Sequence, residues 1–158
     1  MVTVSRPAAD RTFVIGNGQN LRVERCPVEK NNQTRLFSGK RILVVEDEYF
    51  LADETRRRLE DLGATVVGPA ANIRSALELI AVEQVDAAVL DVHLGDDLVF
   101  DVADELERRE INFVFATGYD PSFIPQKYEG FALCEKPAEL EKIAVALFGP
   151  ADGLKRLN

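Results

Sequence analysis

Four short apolar runs, each ending in polar residues, constrain this chain more than any other feature. Ile42-Leu43-Val44-Val45 leads into Glu46-Asp47-Glu48, and Ala87-Ala88-Val89-Leu90 leads into Asp91. Phe113-Val114-Phe115-Ala116 leads into Thr117, and Phe131-Ala132-Leu133-Cys134-Glu135 leads into Lys136-Pro137. Short apolar runs separated by helix-like stretches read as buried parallel strands. In an open parallel sheet, ligands bind outside the carboxyl ends of the strands. Side by side, these runs bring the carboxylates of Glu46, Asp47 and Asp91 to one place with the Thr117 hydroxyl and the Lys136 ammonium. Such a set suits a divalent cation and a phosphoryl group.

The rest of the pattern supplies the helices. A strand over about residues 41–46 precedes a helix whose predicted inner face is Leu51, Thr55, Leu59 and Leu62, stopped by Gly63. Glu54 and Arg58 form an i,i+4 pair on its outside. A strand near residues 64–67 ends at Gly68-Pro69, and Asn72 caps a helix that turns Ile73, Ala76, Leu77 and Ile80 inward. The third strand runs to Asp91, and the helix after it buries Val99, Val102, Ala103 and Leu106. The fourth strand covers about residues 112–116. Gly118, Pro121, Pro125 and Gly130 then leave room for only a short helix. After a fifth strand ending at Lys136, the last helix buries Leu140, Ile143, Ala144 and Leu147 and stops at Gly149-Pro150. The expected fold is an α/β three-layer sandwich. Its five-stranded parallel sheet is flavodoxin-like, with strand order 2-1-3-4-5 as a common solution.

Composition sets the outer bounds. The 158 residues suffice for one domain with an appendage, and a hydrophobic fraction of 46% argues for a folded globule. Residues 40–148 form the expected domain, 1–39 an N-terminal extension and 149–158 a tail. Within the extension, Gly16-Asn17-Gly18 lies between Thr12–Ile15 and Leu21–Val23, as in a hairpin. The extension holds six basic and three acidic residues, net +3; the remainder holds 13 and 24, net −11. An acidic globule without a basic stripe is a poor nucleic-acid binder. No apolar stretch is long enough to cross a bilayer, and no signal peptide opens the chain, so a cytoplasmic protein is expected. Cys26 and Cys134 fit no metal-ligand spacing. His93 is the sole histidine, which leaves little material for triad or multi-histidine zinc chemistry.

With these residues in place, the chain resembles a bacterial response-regulator receiver domain over about residues 40–148. The resemblance rests on Glu46-Asp47, Asp91, Thr117 and Lys136-Pro137, in that order and each at a strand end. Phe115-Ala116-Thr117-Gly118-Tyr119 further resembles the FATGUY subgroup of stand-alone receivers, which work with sensor histidine kinases in stress signalling. The resemblance implies that Asp91 is the phosphoacceptor, served by a sensor histidine kinase or a histidine phosphotransfer protein. It implies Mg²⁺ held by Glu46, Asp47, Asp91 and the backbone carbonyl of His93, with Thr117 and Lys136 on the phosphoryl oxygens. Three positions depart from the common pattern. Leu133 stands where many receivers carry an aromatic switch residue, Gly95 where a Pro often follows the phosphoacceptor, and Glu46 where Asp is commoner. Switching is therefore expected through Thr117, Gly118 and Tyr119 rather than through Leu133.

Each residue also has a plain structural reading. Glu46, Asp47 and Glu48 suit a helix N-terminus, Asp91 a loop start, Thr117 a turn and Lys136 a solvated strand end. Against those readings stands the cost of gathering three carboxylates without a metal. A pseudo-receiver that only binds partners would be marked by loss of Asp91 or Lys136, and both are present. A haloacid dehalogenase-like phosphatase would carry Asp-x-Asp on its first strand, whereas this one ends in Glu46-Asp47-Glu48. With only residues 150–158 after the last helix, output through protein contacts or phosphoryl exchange is expected, and a homodimer stays open.

Overall fold

The computed structural model describes residues 13–15, 19–21, 36–117, 124–128, 133–135 and 140–148. Two short strands, β1 (Phe13–Ile15) and β2 (Gln19–Leu21), pair antiparallel. The main sheet has five parallel strands: β3 (Arg41–Val45), β4 (Thr65–Ala70), β5 (Ala87–Asp91), β8 (Asn112–Thr117) and β9 (Leu133–Glu135). Their order across the sheet is β4-β3-β5-β8-β9, the expected 2-1-3-4-5. The helices are α1 (Tyr49–Asp61), α2 (Ile73–Val82), α3 (Phe100–Arg108) and α4 (Leu140–Phe148). Among the described residues no helix is long and apolar enough to cross a membrane.

Alternation along each strand divides the core between the two faces of the sheet. Leu43, Val45, Ala88, Leu90, Phe113 and Phe115 point to the layer that holds α2 and α3. Ile42, Val44, Ala87, Val89, Val114 and Ala116 point to the layer that holds α1 and α4. Val99, Val102, Ala103 and Leu106 are fully buried, as are Ile143 and Ala144. Asn72 caps α2 by accepting the Ser75 N–H at 2.9 Å, which satisfies a donor that the helix itself cannot. Gly63, at φ +87°, ends α1, and the Ala64 N–H closes the cap on the Leu59 carbonyl at 3.0 Å.

Several details differ from the sequence reading. Strand β4 does not stop at Gly68-Pro69 but runs through it to Ala70, with a register shift opposite Leu43 and Val45. Gly68 has φ +94°, and a Cβ there would lie 2.8 Å from the Ala70 nitrogen. A bulge absorbs the extra residue that the turn-like dipeptide had suggested was a terminus. In α1, Ala52 and Leu59 are the buried residues, while Leu51, Thr55 and Leu62 are half-buried. The core also reaches back to Leu36 and Phe37. Phe37 is fully buried, its ring edge-on to Phe148 at 5.8 Å.

The short helix expected between the fourth and fifth strands is a 3-10 turn over Gln126–Tyr128. Its Tyr128 ring is buried, stacked on Phe100 at 5.6 Å and edge-on to Phe115 at 5.5 Å. The Tyr128 hydroxyl donates to Asp104, which also accepts from Lys127 Nζ at 2.6 Å. Burial and then the neighbouring Asp104 carboxylate push the phenol well above its ordinary pKa. Lys127 and then the Tyr128 hydroxyl hold the Asp104 carboxyl below its own.

Phe37→Ala should lower stability by about 3–5 kcal/mol in urea melts, because a filled aromatic site would be emptied. A loss under about 1 kcal/mol would place Phe37 outside the cooperative core. Since the Asp104 pKa is depressed on folding, its contribution to stability is present above about pH 4. That contribution fades as pH falls through the folded value. Asp104→Asn should flatten this acid limb in melts recorded across the range.

Candidate functional site

The carboxyl end of the sheet gathers the acidic residues. Glu46 follows directly on β3, and its N–H donates to the Ala70 carbonyl at 2.9 Å, which holds it beside β4. Asp91 is the last residue of the central strand β5, opposite Ala116 of β8. Glu46 is 8% exposed and Asp91 5%, and they are the buried charged side chains among the described residues. Asp47 is exposed. One carboxylate oxygen from each of the three lies within 4.8 Å of the others.

Like charges this close repel by roughly 1–4 kcal/mol per pair at dielectric constants between those of water and a protein surface. Backbone amides offset part of that. Glu46 Oε1 accepts from the Glu48 N–H at 3.1 Å, and Asp47 Oδ2 accepts from the Gly95 N–H at 2.8 Å. Asp91 Oδ1 accepts a longer bond from the His93 N–H at 3.4 Å. All three side chains offer hard oxygen donors, the ligand type that Mg²⁺ and Ca²⁺ take, and no soft sulfur ligand is among them. The donor chemistry therefore fits a hard dication.

The loop after Asp91 is more ordered than the sequence reading provided for. His93–Leu94 (β6) and Asp97–Leu98 (β7) form a small antiparallel hairpin, and the Val99 N–H returns to the Val92 carbonyl at 3.0 Å. Thr117 ends β8, one residue beyond the partner of Asp91, and pairs in register with Glu135 of β9. Leu133 pairs with Phe115. Lys136, Gly118 and Tyr119 lie outside the described residues.

Two features near the site go beyond the sequence reading. Glu54 and Arg58 are exposed and pair at 4.0 Å on the outside of α1, as expected, and they also line a cleft with Leu51, Thr55, Glu46 and Asp91. Leu51, Glu54, Thr55 and Arg58 stand at i, i+3, i+4 and i+7, so helical spacing alone carried that signal. Tyr49 and Phe50 open α1 just after the acidic cluster and are 75% and 79% exposed, with rings 5.6 Å apart. Consecutive exposed aromatics break the amphipathic pattern, and that break was the available signal.

Comparison with known proteins agrees with this geometry. The family model described as "Response regulator receiver domain" matches residues 42–146, and the chain belongs to that family. The sensory transduction protein LytT of Bacillus cereus is 34% identical over 112 residues, covering 68% of this chain and 45% of LytT. The chain thus spans less than half the length of this curated relative. Among solved structures, SdrG from Sphingomonas melonis is 35% identical with a TM-score of 0.61, covering 69% of this chain and 93% of SdrG. A Burkholderia pseudomallei response regulator, solved with a phosphorylated aspartic acid, calcium ion and citrate, is 29% identical with a TM-score of 0.63. That match covers 72% of this chain and 69% of the other.

Removing one carboxylate should relieve the repulsion. Asp47→Ala is expected to raise the urea midpoint in chelator, by about 1 kcal/mol of stability. A lower midpoint would mean that the Gly95 bond outweighs the like-charge cost.

Proposed function

We propose that this receiver domain accepts a phosphoryl group on Asp91 from a phosphohistidine of a sensor histidine kinase or a histidine phosphotransfer protein. The observation that carries the reading is the convergence of buried Asp91 with Glu46 and Asp47, their oxygens within 4.8 Å. An Asp91 carboxylate oxygen attacks phosphorus as the P–N bond breaks, and the imidazole leaves with the electron pair. Such a transfer asks chiefly for in-line placement and charge neutralisation. Asp91 closes β5 and pairs with Ala116 of β8, so its backbone is already held in place before transfer. When bound, Mg²⁺ neutralises charge on the phosphoryl oxygens. Glu46, Asp47, Asp91 and the backbone carbonyl of His93 would hold it. Lys136 supplies a point charge to the phosphoryl oxygens and Thr117 a hydroxyl donor. The phosphorylated aspartic acid and calcium ion of the Burkholderia relative support this chemistry.

Signalling then runs through protein contacts. Leu133 has no polar tip with which to respond to a shift of Thr117, whereas Gly118 and Tyr119 follow Thr117 directly in the chain. The stretch Phe115-Ala116-Thr117-Gly118-Tyr119 supports placement in the FATGUY subgroup and a role in stress signalling. The net charge of −11 outside the extension supports a protein partner over nucleic acid.

Intact-mass measurement with a small phosphodonor and Mg²⁺ should show one added phosphoryl group, none for Asp91→Asn, and none in excess chelator. Persistent modification of that variant would assign the acceptor elsewhere. Tyr119→Ala should leave phosphorylation largely intact while reducing the difference in partner affinity between the two states. An unchanged difference would remove Tyr119 from the relay.

A further inference from the structure

Gly95 reaches the acidic site through its backbone amide. The register of the small hairpin, His93 with Leu98 and Leu94 with Asp97, leaves Gly95-Asp96 as its two-residue turn. Gly95 has φ +64°, the sign that the first central position of a II′ turn requires. Space does not demand a glycine, since an added Cβ would meet nothing within 4 Å. What the position supplies is its conformation and its amide. That N–H donates at 2.8 Å to Asp47 Oδ2, across 48 residues of sequence. Asp47 is the exposed member of the acidic trio and so the one least held by packing. Proline, common in receivers at this position, has no N–H and a φ near −65°, so it could not make this bond.

We propose that the Gly95 amide is a positioning group for the metal site. It holds one oxygen of Asp47 and turns the carboxylate toward Glu46 and Asp91, leaving its remaining acceptor capacity for the cation. Partners behind a metal ligand act in this way, by fixing its rotamer before the ion arrives. The bond also ties the turn after the phosphoacceptor to the loop after β3. The loop after β3 carries Glu46 and Asp47 and the turn follows Asp91, so the bond links the two sides of the site. The inference rests on the reading of Glu46, Asp47 and Asp91 as a divalent-cation site.

The test is Mg²⁺ affinity of the full chain, read by calorimetry and by amide chemical shifts rather than by phosphorylation. Gly95→Asn keeps the amide and tolerates the left-handed conformation, so its affinity should stay within about twofold of the parent protein. Gly95→Pro removes both features and should bind about tenfold more weakly. Gly95→Val keeps the amide but disfavours positive φ. It should fall between the two, and it stands in if the proline variant does not fold. Equal or tighter binding by the proline variant, or by the valine variant in its place, would overturn the inference, since the amide would then be idle or competing with the ion. If the parent protein binds no Mg²⁺ while remaining folded, the cation site itself is wrong and the inference falls with it.

Discussion

A strand with parallel neighbours on both sides and helices on both faces can place a charged side chain only at its end. Strand β5 is such a strand: every residue from Ala87 to Asp91 is 5% exposed or less. The small side chains of Ala87 and Ala88 let the helical layers close over it, and Asp91 emerges where the pleat runs out. Neighbouring β3 obeys the same rule and delivers Glu46 and Asp47 beside it. Because all five strands point the same way, one edge of the sheet collects polar ends that would otherwise be scattered. The acidic site follows from parallel topology combined with a fully covered centre.

That arrangement concentrates unfavourable charge where the sheet is least able to move. The repulsion among three carboxylates is opposed by the packing of two apolar layers, and by backbone amides aimed at each of the acids. Function and stability pull in opposite directions at this edge. The core residues that hold the strands together lie a few positions upstream of the residues that strain them.

Much of the fold was legible because it depends on period and punctuation. The unbroken apolar run Ile42–Val45, the cap at Asn72 and the glycine at residue 63 each act locally, so a single sequence displays them. The acidic trio was legible because each member closes an apolar run. Features that depend on a distant partner were not. Gly68-Pro69 reads as a stop unless the register of β3 is known to shift beside it. Phe37 lies in a polar stretch, and its burial depends on Phe148, more than a hundred residues away. Tyr128 follows two prolines and a lysine, and only the facing rings of Phe100 and Phe115 show why it turns inward. The exposed i,i+4 pair of Glu54 and Arg58 was legible, but not that it borders a cleft with Glu46 and Asp91, which lie on other elements.

The contact between Phe37 and Phe148 has a geometric consequence for attachments to this domain. The two rings meet at 5.8 Å, and Lys40 Nζ lies 5.3 Å from the Phe148 ring centre. Phe37 precedes β3 and Phe148 ends α4, so chain entry and chain exit share the amino edge of the sheet. The acids occupy the other edge, one strand length away, or about 16 Å for five residues at the rise of a parallel strand. Whatever is joined before Leu36 or after Phe148 is thus tethered at the far side of the fold. Both points of attachment therefore face away from the edge where Glu46, Asp47 and Asp91 gather.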